Sequence, residues 1–124
     1  MRKIITILFL SLTIFLVSCG NAGFEVISAS TGKTMMDNDS SIILVDVREQ
    51  SEYNEGHIEG AILLPLGLIE EYAESILIDK DATYILYCRS GNRSNQAAEI
   101  FVNLGYKNVY DMGGIIDWPY EIVT

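Results

Sequence analysis

Histidine and cysteine are scarce in this chain of 124 residues: His57 is alone, and the two cysteines are Cys19 and Cys88. So few imidazoles and thiols cannot furnish a closed zinc site, and no metal is expected. Basic residues are also few, 8 Lys and Arg against 17 Asp and Glu, for a net charge of -9. That balance excludes the basic face a nucleic acid requires and electrostatic attachment to anionic lipid. No glycine-rich dinucleotide fingerprint follows a strand-like run, since Gly113-Gly114 reads only as a turn, and no cofactor is expected. Internal repeats, low-complexity tracts and a second domain are all missing. What remains is a chain of one-domain length. With 49% apolar residues it can bury a core and is not expected to be disordered.

The N-terminus has its own logic. Met1-Arg2-Lys3 is a short basic start, and Ile4 to Val17 is an apolar run broken only by Thr6, Ser11 and Thr13. That run falls short of the roughly 20 residues a spanning helix needs and fits a secretory signal. It ends in Leu16-Val17-Ser18-Cys19, which resembles a bacterial lipobox. The resemblance implies cleavage before Cys19, a lipid on its sulfur and attachment to the extracytoplasmic side of a bacterial membrane. Cleavage would remove Arg2 and Lys3 and no acid, taking the side-chain balance from -9 to -11. Cys88 would then be a lone thiol in an exported protein, where paired cysteines are the norm. The expected organisation is a signal segment 1–18, a tether 19–26 and a folded, monomeric domain 27–124.

Along the mature chain, strand-like and helix-like runs alternate. Phe24–Ile27 reads as a first short strand, and Ser28 as the N-cap of a helix reaching Met36. Ile42–Val45 and Ala61–Leu64 read as strands buried on both faces. Ser51–Glu55 reads as a short helix closed by Gly56. The helix Leu68–Leu77 is expected to turn Leu68, Ile69, Tyr72 and Ile76 to one side. Thr83–Tyr87 is the strongest strand by composition. Ser94–Leu104 is the strongest helix, with Gly105 at its C-terminal cap, and Val109-Tyr110 is a last strand. Such alternation predicts βαβ units, hence an α/β fold with a central parallel sheet and helices on both faces.

Cys88 follows the best strand and precedes the best helix, where ligands of parallel sheets gather. The segment Cys88-Arg89-Ser90-Gly91-Asn92-Arg93 therefore lies at a helix N-terminus, whose unpaired N–H groups make an anion site. Gly91 and Asn92 tolerate the positive φ of a curled nest, and Arg89 and Arg93 add positive charge. A free thiol titrates at about 8.5 and can fall to roughly 3.5–7.5 in such surroundings. Cys88 is expected to be ionised at neutral pH.

The stretch resembles the active-site loop of the rhodanese family of sulfurtransferases. Asp46-Val47-Arg48-Glu49, Gly56-His57-Ile58-Glu59-Gly60-Ala61 and Gly113-Gly114 with Trp118 resemble three further signatures, in the family's order. The likeness runs from about Ile27 to Tyr120 and is strongest to small single-domain, exported members of the phage-shock type. It implies a rhodanese-like fold. It also implies that Cys88 takes the outer sulfur of a small anionic donor such as thiosulfate as a persulfide and passes it to cyanide or a thiol. Arg89, Ser90, Gly91, Asn92 and Arg93 would bind the donor. Asp46 reads as an ion-pair partner of Arg48 that orders its loop. His57 reads as a hydrogen-bonded loop residue, not a base, since a preformed thiolate needs none. Trp118 reads as a core anchor. Two other readings compete. Cysteine phosphatases and arsenate reductases also place Cys and Arg around an anion loop, but related phosphatases have five residues between them where Cys88 and Arg93 have four. A non-catalytic binding or redox-sensing module could also retain such a fold.

Overall fold

Strands of two to seven residues, each followed by a helix or turn, assemble into one parallel sheet in the computed structural model, which describes residues 23–124. The strands are β1 (Phe24–Val26), β2 (Ile43–Asp46), β3 (Ile62–Leu63), β4 (Thr83–Cys88) and β5 (Asn108–Gly114). The helices are α1 (Ala29–Asn38), α2 (Gln50–Glu55), α3 (Ile69–Ile76) and α4 (Asn92–Asn103). All pairings are parallel, in the order β1-β5-β4-β2-β3. The expected α/β architecture is thus present. The signal segment and Cys19 lie outside the described residues.

Alternation along the central strand β4 separates two cores. Tyr84, Leu86 and Cys88 join Ile69, Ala73 and Leu77 of the α3 region and Ala97, Ala98 and Phe101 of α4 on one side. Ile85 and Tyr87 join Leu44, Ile58 and Met112 on the other, with Met35 and Met36 of α1 and Tyr53 of α2 packed against them. Helices therefore cover both faces, as a parallel sheet requires. Within the first core Tyr84, Phe101 and Tyr106 contact one another edge-on or tilted, with centroids 4.9–5.8 Å apart.

Several local expectations are corrected. The first strand expected at Phe24–Ile27 is present as Phe24–Val26, an edge strand paired with Val109–Asp111, so these three residues belong to the folded body and not to the tether placed at 19–26. β3 is a two-residue edge strand with Ile62 exposed, not one buried on both faces, because it pairs with β2 alone. α3 buries Ile69 and Ala73, followed by Leu77, and leaves Leu68, Tyr72 and Ile76 40–50% exposed. Both triplets recur every four residues, so spacing cannot choose between them. The small side chain of Ala73 sits where α3 packs into the core. α4 starts at Asn92, two residues earlier than Ser94. Cys88 is the last residue of β4, and Gly113-Gly114 closes β5 instead of forming a turn beyond it.

Helix ends follow their sequence signals. Ser28 caps α1 by accepting from the Thr31 N–H at 3.1 Å. Glu49 and Glu52 form a reciprocal capping box on α2. Gly105 takes φ +96° after α4, the left-handed conformation glycine adopts without penalty.

Candidate functional site

β4 and β5 end side by side, with Cys88 opposite Gly114. Between β4 and α4 only Arg89, Ser90 and Gly91 are free of regular structure, and Gly91 takes φ +105° to turn the chain into the helix. This tight turn wraps the first N–H groups of α4 around the end of β4. The fit demands glycine at position 114 as well. A Cβ there would overlap the Arg89 carbonyl and come within 2.6 Å of the Ser90 Cα.

The sulfur of Cys88 is fully buried and forms no disulfide among the described residues. The Gly91 N–H donates to it at 3.0 Å, and the Ser94 hydroxyl lies 3.5 Å away. Burial opposes ionisation of the thiol. The Ser94 hydroxyl and the N–H groups of Ser94, Gly91 and Ser90 outweigh that cost and hold its pKa below the ordinary thiol value. Ser94 Oγ is also 3.1 Å from the Gly91 carbonyl. In the thiol form the S–H donates to Ser94, which donates onward to Gly91. In the thiolate form the same hydroxyl can turn and donate to sulfur.

The arginines divide. Arg93 donates from two nitrogens to the Glu52 carboxylate, at 2.6 and 2.9 Å. That bond holds Glu52 down to about 2 and raises Arg93. The charge of Arg93 is therefore balanced, not free as the sequence suggested. Arg89 is exposed and makes no ion pair among the described residues. Asn92 does not adopt positive φ. It is the first residue of α4, and its side chain accepts from Gln96.

Around this centre the other predicted residues brace the loops. Asp46 is fully buried and accepts from Arg48 Nη2 at 2.7 Å and from the Tyr87 hydroxyl at 2.8 Å. Arg48 passes on to the Gly56 carbonyl at 2.7 Å, and Tyr87 accepts from the Ile58 N–H at 3.1 Å. One buried network thus joins the ends of β2 and β4 to the segment carrying His57. His57 stacks on Tyr53 with ring centroids 3.6 Å apart, and its Nδ1 meets the Tyr53 carbonyl at 2.9 Å. Trp118 is half-buried against the second core, its Nε1 donating to the Glu121 carbonyl. Neither hydrogen-bonds Cys88. Among the described residues no cluster of His, Cys, Asp or Glu is arranged for a metal.

Sequence reasoning missed Ser94 and Glu52. Ser94 stands third in its helix, where serine reads as an ordinary first-turn residue. Glu52 completes a capping box with Glu49, a local role that hides the distant bond to Arg93.

Comparison with known proteins is consistent with this geometry. The rhodanese-like domain family matches residues 28–119. The chain is 38% identical over 73 residues to the thiosulfate sulfurtransferase PspE of Escherichia coli, covering 59% of this chain and 70% of that protein. It is 38% identical over 95 residues to a sulfurtransferase of Allochromatium vinosum, covering 76% and 86%. A rhodanese with anions from E. coli superposes with a TM-score of 0.63 at 35% identity, covering 67% of this chain and 98% of that one. The chain belongs to the rhodanese-like family, whose sulfurtransferase members are its relatives.

Proposed function

We propose that this protein moves a sulfane sulfur from a small anionic donor, thiosulfate being the simplest, to a thiol or cyanide through a persulfide on Cys88. The observation that carries the reading is one buried sulfur at the end of the central strand that accepts from the Gly91 N–H at 3.0 Å and meets the Ser94 hydroxyl at 3.5 Å, at the N-terminus of α4. A lowered thiol pKa supplies the nucleophile without a neighbouring base.

In the first half-reaction the Cys88 thiolate attacks the outer sulfur of thiosulfate. The S–S bond of the donor breaks and sulfite departs with its electron pair, leaving Cys88–S–S⁻. The terminal sulfur inherits the negative charge, and the loop amides are placed to stabilise it. In the second, an acceptor thiolate attacks the terminal sulfur and Cys88 leaves as thiolate, which resets the site. Arg89, with no carboxylate partner among the described residues, meets the donor's sulfonate. No cofactor enters this chemistry. We also propose that the domain works as a monomer held to the outer side of a bacterial membrane by lipid on Cys19.

Intact mass spectrometry tests the core of this reading. Incubation with thiosulfate is expected to add the mass of one sulfur atom, cyanide to remove it, and Cys88→Ala to abolish both steps. Aryl phosphate hydrolysis is expected to stay at background. Phosphatase turnover without any sulfur adduct would overturn the assignment in favour of a cysteine phosphatase.

A further inference from the structure

Beside the Cys88 turn runs a groove of about 340 Å³ that the donor chemistry does not use. It touches that turn at one point and the first turn of α4 at another. The Ile116 N–H donates to the Arg89 carbonyl at 3.2 Å, and Glu52 in its wall holds Arg93. The lining is markedly apolar: Ile116, Ile122 and Tyr120 are 65%, 53% and 39% exposed. Monomeric domains seldom display several such side chains together without use.

The charges along the groove are unequal. Arg48 is consumed by Asp46 and Glu52 by Arg93. Glu55 lines the groove and makes no ion pair among the described residues, so the groove carries one uncompensated carboxylate. Arg89, a cation without an ion pair among the described residues, belongs to the turn itself. An anionic sulfur donor is thus drawn to the turn, while the neighbouring groove favours an apolar tail ending in no charge or a positive one.

We infer that this groove is the acceptor subsite, and that it selects thiols with an apolar, neutral or cationic tail over anionic thiols. The inference rests on the Cys88 persulfide proposed above. The acceptor lies with its tail along Ile116, Tyr120 and Ile122 and its thiolate directed at the terminal persulfide sulfur. Attack forms a new S–S bond, breaks the bond to Cys88, and releases the acceptor as its own persulfide. The acceptor's thiol proton is lost to solvent beforehand, so atoms and charge balance.

The test loads the full chain with thiosulfate, removes the donor, and follows loss of the sulfur adduct by mass. The probes are ω-aminoalkanethiols and ω-mercaptoalkanoates of two to six carbons, with rates corrected to thiolate concentration. Discharge by the amine series is expected to rise with chain length, with the six-carbon amine about tenfold faster than its carboxylate counterpart. Added salt should shrink that ratio. Glu55→Gln should reduce it about threefold, and Ile116→Ser should flatten the dependence on chain length while leaving adduct formation intact. Failure to form the adduct at all would sink the sulfurtransferase reading. Normal adduct formation followed by discharge that ignores tail charge and length, in wild type and Glu55→Gln alike, would overturn the groove assignment alone.

Discussion

Cys88 is fully buried, yet its pKa is held below the ordinary thiol value. The hydrogen bonds that decide this come from Ser94 and from backbone, and the charge of Arg93 is already spent on Glu52. Hydrogen bonds to a charged group are worth about 1.5–3 kcal/mol, so losing one disfavours the thiolate. Ser94→Ala should therefore move the alkylation midpoint of Cys88 upward. Arg93→Ala should move it less. The sign follows from the lowered thiol: reactivity is complete above the folded-state midpoint and falls as pH drops through it. An iodoacetamide rate profile across pH would show both effects, and a larger shift for Arg93→Ala would contradict the division of roles argued here.

At the scale of elements, the site depends on how β4, β5 and α4 meet. Gly114 lets β5 close against the Arg89-Ser90 backbone. Gly114→Ala must push the turn away from the end of β5, so the amides no longer converge on sulfur. Persulfide formation is expected to fall at least tenfold, as followed by mass after a thiosulfate pulse. The Asp46–Arg48–Tyr87 network braces the opposite side. Removing one partner of a buried ion pair typically costs about 3–5 kcal/mol, because the other charge is stranded. Asp46→Ala should lower the urea midpoint accordingly, with Arg48 left facing the Gly56 carbonyl alone.

For the whole molecule, two expectations concern charge and attachment. The Glu52–Arg93 pair ties α2 to α4 across 41 positions of sequence. Glu52 has a folded pKa of about 2 against an ordinary 4.5. Its contribution to stability is therefore complete above 4.5 and lost as pH falls toward 2. For a partly exposed pair that contribution is about 1 kcal/mol, and Glu52→Gln should remove that share of the acid dependence in a pH series of thermal melts. The proposed lipid on Cys19 makes a separate prediction. Wild-type protein from membranes should enter the detergent phase, and Cys19→Ser should stay in the aqueous phase. Equal partitioning would end the lipoprotein proposal.

Local sequence determined the α/β alternation, because short apolar runs between capped helices have few other ways to bury themselves. It also determined where Cys88 would lie, since a strand end followed by a helix start is readable from composition alone. Gly91 and Gly105 were legible for the same reason: their backbone geometry is a property of the single residue. Only the tertiary structure decided the rest. Which stripe of α3 faces inward depended on the space left by its neighbours, as Ile69 with Ala73 and Tyr72 with Ile76 carry the same period. The pairing of Glu52 with Arg93, and of Asp46 with Tyr87, joins residues 41 apart. No local pattern encodes such partners, because their proximity arises only when parallel strands bring their C-terminal ends to one edge.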